Sequence, residues 1–283
     1  MMTNNSGKAM KTLPVVLQPD QLSERWDDHV GVYEAVFEPF TVALAEAAIA
    51  SLALQPGSRV LDVGAGAGGA ALLLARRGIN VTAIDGSAGM VARLRERAAA
   101  EGLAVEAQVM DGQVLTLPDA SFDAVLSVFG VILFPDAAKG MSEIHRVLKP
   151  GGRVAVAAWT QPEHYELAAT LRAAMLSVWP DMPQLPLPAQ LRFKDEAVFR
   201  ALFTEAGFAT PHIEAVTAFL HASSARWLAE RIAFAPGMAV MMSRLGERRA
   251  AVLSGFVERL EAAHGTGELA LPGVAFVGST AKH

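Results

Sequence analysis

Between residues 21 and 54 apolar side chains recur at helical spacing, with Val36, Phe40, Leu44 and Ala48 on one stripe, and the run stops at Gln55-Pro56-Gly57. Beyond that turn the rhythm changes. Residues 59–63, 81–84, 105–110, 122–128 and 153–159 are short apolar runs that read as buried strands. Helical stretches separate them. Residues 70–77 are stopped by Gly78, and a second helix is capped by Ser87, carries Val91, Leu94 and Ala98 inward and ends at Gly102. Residues 136–148 put Ala137, Met141, Ile144 and Leu148 on one face before Lys149-Pro150-Gly151-Gly152 breaks the pattern. Strands alternating with helices predict an α/β, Rossmann-like, doubly wound parallel sheet.

The remainder is read more coarsely. Residues 195–206 form a helix stopped by Gly207, residues 212–220 and 274–281 are strands, and 224–234, 238–245 and 248–263 are helices between them. The expected organisation is a flexible tail over 1–20 and one domain over 21–283, with N-terminal helices and a helical lid inserted over 222–267. Trp227, Phe234, Met238, Met241 and Met242 of that insertion could line an adaptable apolar pocket, edged by the stiff proline-rich loop 179–188.

Composition narrows the chemistry. The chain has 283 residues, 52% hydrophobic and 19% charged, which suits one large core. Its 24 basic side chains are scattered among 29 acidic ones, so no nucleic-acid footprint is expected. Cysteine is absent, which removes disulfides, thiolate metal sites and a cysteine nucleophile. No paired His, Asp and Glu spacing suggests a metal. No apolar run is long enough to span a bilayer and the start lacks a signal-peptide pattern, so a cytoplasmic location is expected.

In such sheets ligands bind beyond the carboxyl ends of the strands. The first strand runs into Asp62-Val63-Gly64-Ala65-Gly66-Ala67-Gly68-Gly69, in which Gly64, Gly66 and Gly69 satisfy the G-x-G-x-x-G pattern. Glycines there let backbone approach a nucleoside as well as a pyrophosphate. Asp85, at the end of the second strand and followed by Gly86, is placed to accept from both ribose hydroxyls, although Asp85-Gly86-Ser87 also reads as a plain turn into a capped helix. Asp62 would repel a pyrophosphate and suits a cationic ligand end. Asp111, in Met110-Asp111-Gly112-Gln113, can accept from the adenine amino group, or simply close an Asp-Gly turn.

Taken together, residues 60–66, Asp85, 110–112, 117–123 and 146–152 resemble the class I S-adenosylmethionine-dependent methyltransferase superfamily. Within it, the type 11 branch containing the ubiquinone and menaquinone biosynthesis enzymes is the most similar, over residues 26–159. The resemblance implies a seven-stranded sheet in the order 3-2-1-4-5-7-6 and S-adenosyl-L-methionine as cofactor. It also implies that Gly64, Ala65 and Gly66 meet the methionine moiety, Asp85 with Gly86 the ribose, and Asp111, Gly112 and Gln113 the adenine. Phe129 would lie near the sulfonium, Trp26 and Tyr33 would close over the cofactor, and Met90 would pack beneath the ribose or adenine, or simply in the core.

The expected reaction is methyl transfer to an O, N or C atom of a small, apolar or aromatic acceptor, chiefly by positioning and desolvation. If a general base is needed, His164 and His221 lie beyond the fifth and sixth strands, with Glu166 a weaker candidate. Ser127-Val128-Phe129-Gly130 lacks the Pro-Pro-aromatic pattern of base and glutamine N-methylation. Two alternatives stay open: a protein that binds S-adenosylmethionine without transferring methyl, and an NAD-dependent oxidoreductase. The latter resembles a family needing Tyr-x-x-x-Lys, whereas Tyr33 and Tyr165 are followed at that offset by Phe37 and Ala169. Homodimer formation is also left open.

Overall fold

The computed structural model describes residues 16–283 except 185, so most of the expected tail lies outside the described residues. Two short 3-10 turns, Pro19–Gln21 and Ser23–His29, lead into α1 (Val30–Val36) and α2 (Glu38–Ser51). The single helix expected over 21–54 is therefore broken. Pro39, in the first turn of α2, has no N–H to give Ala35, so the ladder of α1 ends and the chain turns at Phe37.

The alternating region follows the expected pattern: β1 (Arg59–Val63), α3 (Gly69–Arg76), β2 (Asn80–Asp85), α4 (Ala88–Ala100), β3 (Val105–Val109), β4 (Phe122–Val128), α5 (Ala137–Val147) and β5 (Leu148–Trp159). After it come α6 (Glu166–Val178), α7 (Glu196–Thr204), β6 (His212–Ala222), α8 (Ala225–Glu230), α9 (Pro236–Arg244), α10 (Arg249–His264) and β7 (Leu269–Ala281). The seven strands lie in the order β3-β2-β1-β4-β5-β7-β6, as the resemblance implied. All pairings are parallel except those of β7, which runs against both β5 and β6.

Strand alternation divides the core in two. Leu61, Val125, Val154 and Val156 join Met141 and Ile144 of α5 and Phe199 and Phe203 of α7. Val60, Ala124, Leu126 and Ala155 join Ile49 of α2, Leu74 of α3, and Val91 and Leu94 of α4.

Three departures have physical causes. Residues 149–152 do not end the helix in a loop but enter β5 through a register shift, stitched to the chain's far end by Gly151 N–H to Lys282 O and Lys282 N–H to Gly152 O, both at 2.8 Å. β7 begins at Leu269 rather than 274, because β6 offers it a partner all the way from Ser279↔His212 to Leu269↔Ala222. Helix α6 was not foreseen, although Leu167, Leu171, Ala174 and Met175 make a regular buried stripe along it.

β1 and β4 end side by side, and their loops touch backbone to backbone. A Cβ on Gly130 would lie 2.5 Å from Val63 O and 2.9 Å from Gly64 Cα, and one on Gly64 would lie 2.6 Å from Gly130 Cα. Gly130→Ala is expected to lower unfolding stability by about 1–3 kcal/mol, the usual cost of overpacking, read from urea denaturation midpoints. An unchanged midpoint would contradict the contact.

Candidate functional site

The loop after β1 is pinned from below. The N–H groups of Gly64 and Ala65 both donate to Ile84 O at 2.9 Å, and Gly66 N–H donates to Asp85 Oδ2 at 2.9 Å. Gly64 and Gly66 have φ of +73° and +55°, a conformation that L side chains rarely adopt. Tyr33 packs over the loop, with its ring carbon Cε1 3.6 Å from where a Gly66 Cβ would stand.

Four carboxylates surround this loop. Asp85 also accepts from Ser87 N–H at 2.8 Å; burial raises its pKa although these backbone donors oppose the rise. Each oxygen of Asp85 keeps a further lone pair for a ligand hydroxyl. Asp27 accepts from Ser87 Oγ and Gly89 N–H, at 2.5 and 2.8 Å, and so holds the start of α4 together with the Ser87 cap. Glu38 of α2 is buried and accepts from Gly69 N–H, the first residue of α3, at 3.1 Å. Arg97 Nη1 reaches both Glu38 oxygens at 2.8 and 2.7 Å and Ala67 O at 2.9 Å, tying the loop to α4.

Asp62 is 1% exposed, and its Oδ2 has no partner among the described residues. Burial, then the neighbouring Asp85 charge, push its pKa up to about 7, while a hydrogen bond from Ala71 N–H of α3 pulls the other way.

Above the loop opens a cavity of about 1260 Å³. Of the residues named from the sequence, Trp26, Tyr33, Gly64, Gly66, Asp85, Gly86, Met90, Asp111, Gly112, Gln113 and Phe129 line it. Asp62 and Ala65 do not; Asp62 lies buried beside the loop that forms the floor. Asp111 Oδ1 accepts from the backbone and side-chain nitrogens of Gln113, both at 2.9 Å, while Gln113 Oε1 accepts from Asp136 N–H. Phe134 closes this end: a Cβ on Gly112 would fall 2.6 Å from its ring carbon Cε2.

Neither proposed histidine reaches the cavity. His164 turns toward Thr160 Oγ1, 3.3 Å away, and lines a smaller cleft of about 370 Å³ with Lys194 and Asp195. His221 is exposed at the end of the edge strand β6. Glu166 is paired with His264, 2.6 Å away, at the α6–α10 contact. From the expected lid, Phe234, Met238 and Met241 line the cavity, whereas Met242 is buried in the core and Trp227 lies under Arg231.

Of the far wall, sequence reading named Phe234, Met238 and Met241 but not Phe37, Trp159, Tyr165 or Met175. Phe129 stacks on Trp159 at 4.5 Å, Trp159 on Tyr165 at 4.7 Å and Phe37 on Phe234 at 5.1 Å. Such pairs contribute roughly 0.5–1.5 kcal/mol each beyond area burial. Met175 and Met182 continue the wall toward the proline-rich loop. The spacing of Tyr33, Phe37 and Phe40 was one available signal; the meeting of rings from β5, α2 and the start of α9 had none. Phe129 stands at φ +61°, which costs a bulky residue about 1–2 kcal/mol.

Comparison with known proteins agrees with this geometry. Residues 61–156 match the family described as "Methyltransferase domain". An uncharacterised protein of Mycobacterium tuberculosis is 35% identical over 155 residues, 54% of this chain and 57% of that one. Protein-L-isoaspartate O-methyltransferase of Methylorubrum extorquens is 39% identical over 153 residues, 52% of this chain and 63% of its own length. These matches thus span less than two thirds of the relatives. Among solved structures, phosphoethanolamine N-methyltransferase 2 of Haemonchus contortus shares the fold with a TM-score of 0.59, at 22% identity over 95% of this chain and 60% of that one. Residues 61–156 thus match a methyltransferase domain, and they lie in a sheet whose strand order is that of the Rossmann-like methyltransferase fold.

Proposed function

We propose that the protein binds S-adenosylmethionine at the glycine-loop end of the cavity and transfers its methyl group to a small apolar or aromatic acceptor at the other end. The observation that carries this reading is the single cavity itself. At about 1260 Å³ it exceeds the roughly 300–1,000 Å³ of an ordinary ligand pocket. It has Gly64, Gly66, Asp85 and Asp111 at one end and Trp159, Tyr165, Met175, Phe234 and Met241 in the remaining wall.

The residues present suit this cofactor. Asp85 can accept from ribose hydroxyls and Asp111 from the adenine amino group. The unpartnered Asp62 oxygen beside the loop favours a cationic end over an anionic one. When bound, the cofactor supplies an activated methyl group on a sulfonium. The chain's own work is then to hold both reactants in line and keep water out, and the stacked rings around Phe129 and Trp159 give a wall without competing nucleophiles. Neither His164 nor His221 lines this cavity, so the reading assigns neither a proton-transfer role.

An NAD-dependent reaction is disfavoured by Glu38, whose carboxylate already occupies the N–H of Gly69 where α3 begins. In dinucleotide sites the pyrophosphate takes that position.

Calorimetric titration with S-adenosylmethionine, S-adenosylhomocysteine and NAD is expected to show binding of the first two only. Asp85→Asn should weaken them about 10- to 100-fold, as loss of hydrogen bonds to a charged group implies. Binding of NAD alone would sink the proposal.

Asp62 gives a second test with a defined sign. Its folded pKa lies above its ordinary value, so the folded state holds the proton more tightly. Stability is therefore lost as pH rises from 3.8 to about 7, and the loss levels off above that. Asp62→Asn removes this cost while leaving an acceptor for Ala71 N–H. The variant should melt several degrees above the wild type at pH 8, with a smaller gain at pH 5, and bind S-adenosylhomocysteine roughly tenfold more weakly. A variant less stable than the wild type at pH 8 would show that the charge is compensated.

A further inference from the structure

Helix α6 runs along the cavity, and its exposed side gives that wall its character. Tyr165, the residue before its first turn, stacks on Trp159, and Trp159 stacks on Phe129 beside the glycine loop. From there Ala168, Ala169, Arg172 and Leu176 follow at helical spacing, and all four line the cavity. Arg172 comes seven residues after Tyr165, about two turns, so both lie on one side of the helix roughly 10 Å apart along its axis.

Arg172 is out of keeping with the apolar side chains around it. Among the described residues it is the only basic side chain lining the cavity, and it takes part in no ion pair or side-chain hydrogen bond. Its neighbours three and four positions away are Ala168, Ala169, Met175 and Leu176, so no carboxylate on α6 stands at pairing distance. Five carboxylates line the same cavity. Asp85 and Asp111 stand at the glycine-loop end, and Asp20 is engaged by Gly237 N–H at 2.6 Å. Glu24 and Glu163 are exposed, and neither pairs with Arg172. The forked donors of the guanidinium are therefore left to solvent, and a carboxylate is a planar partner that fits them bidentately. A single arginine matches a monoanion, whereas a phosphate dianion would leave uncompensated charge in a cavity that also holds Glu24 and Glu163.

We propose that Arg172 anchors the methyl acceptor and that the acceptor is a hydrophobic carboxylic acid. Its carboxylate lies at Arg172 and its apolar or aromatic body along Ala168, Ala169 and the Trp159 wall. The atom that takes the methyl group lies at the Phe129 end, about two helical turns from the carboxylate, which serves as a handle only. The inference rests on the reaction proposed above and names the class of its acceptor.

The test compares 2-naphthoate with naphthalene-2-carboxamide, two probes of one shape that differ in charge, titrated by calorimetry in the presence of S-adenosylhomocysteine. At low salt the wild type should bind the carboxylate about three- to tenfold more tightly, between an exposed ion pair and a hydrogen-bonded charge in affinity terms. The preference should shrink toward unity in about 0.5 M salt. Arg172→Gln should abolish it at any salt concentration; should that variant fail to fold, Arg172→Met serves in its place. No binding of either probe, equal affinities in the wild type, a preference insensitive to salt, or one retained in the folded variant would overturn the proposal. S-adenosylhomocysteine titrated alone on the wild type separates the two readings. If it binds and the carboxylate preference is missing, this inference falls and the cofactor reading stands; if it does not bind, the cofactor reading falls and takes this inference with it.

Discussion

Where β1 and β4 end, two backbones meet with no room for a side chain between them, Gly64 against Gly130. Most of the site follows from that contact. It holds the glycine loop down on Ile84 O, keeps Asp62 buried just before it, and forces the chain leaving β4 into the left-handed turn at Phe129. Ser127 reinforces it from below, donating to Val63 O at 2.7 Å and accepting from Val131 N–H at 3.0 Å. The strained Phe129 is held because its ring finds Trp159, so packing offsets what the backbone loses.

Around this floor the protein gathers more negative charge than it neutralises. Asp27, Glu38, Asp62 and Asp85 sit close to the ends of β1 and β2, with Arg97 as the direct counter-ion of Glu38. Breaking a buried pair of that kind costs about 3–5 kcal/mol, because the remaining charge stays buried and alone. Asp62 already stands in that position. As pH rises toward its pKa of about 7 such a group weakens the fold, a cost of the kind found at functional sites.

The other end of the cavity is built differently. Phe37, Phe129, Trp159, Tyr165 and Phe234 come from separate parts of the chain and form one stacked group along the cavity. The N-terminal turns complete the enclosure through polar contacts rather than core packing. Asp20 accepts from Gly237 N–H at the start of α9, and Gln18 bonds both Leu187 O and Ala189 N–H of the proline-rich segment. Segments held by a few polar contacts open more readily than the core of a sheet.

The alternation of strand and helix, the glycine loop, and the aspartates at the ends of β2 and β3 were legible because each is local. A strand end, a turn and a cap are specified within a few residues, and sheet order follows once the α/β pattern and its resemblance are recognised. Pro39 also breaks the N-terminal helix by local chemistry, and the buried stripe of α6 was equally present in the letters, though neither was read. What the sequence could not decide were the meetings of distant segments. Glu38 reaches Gly69 from another helix, Trp159 meets Phe129 across two strands, and His164 and His221, correctly placed at the right end of the sheet, turn away from the cavity. Periodicity fixes which face a side chain takes, but its neighbours there depend on how the layers close, and in this protein that closure decided which charges stay buried beneath the loop.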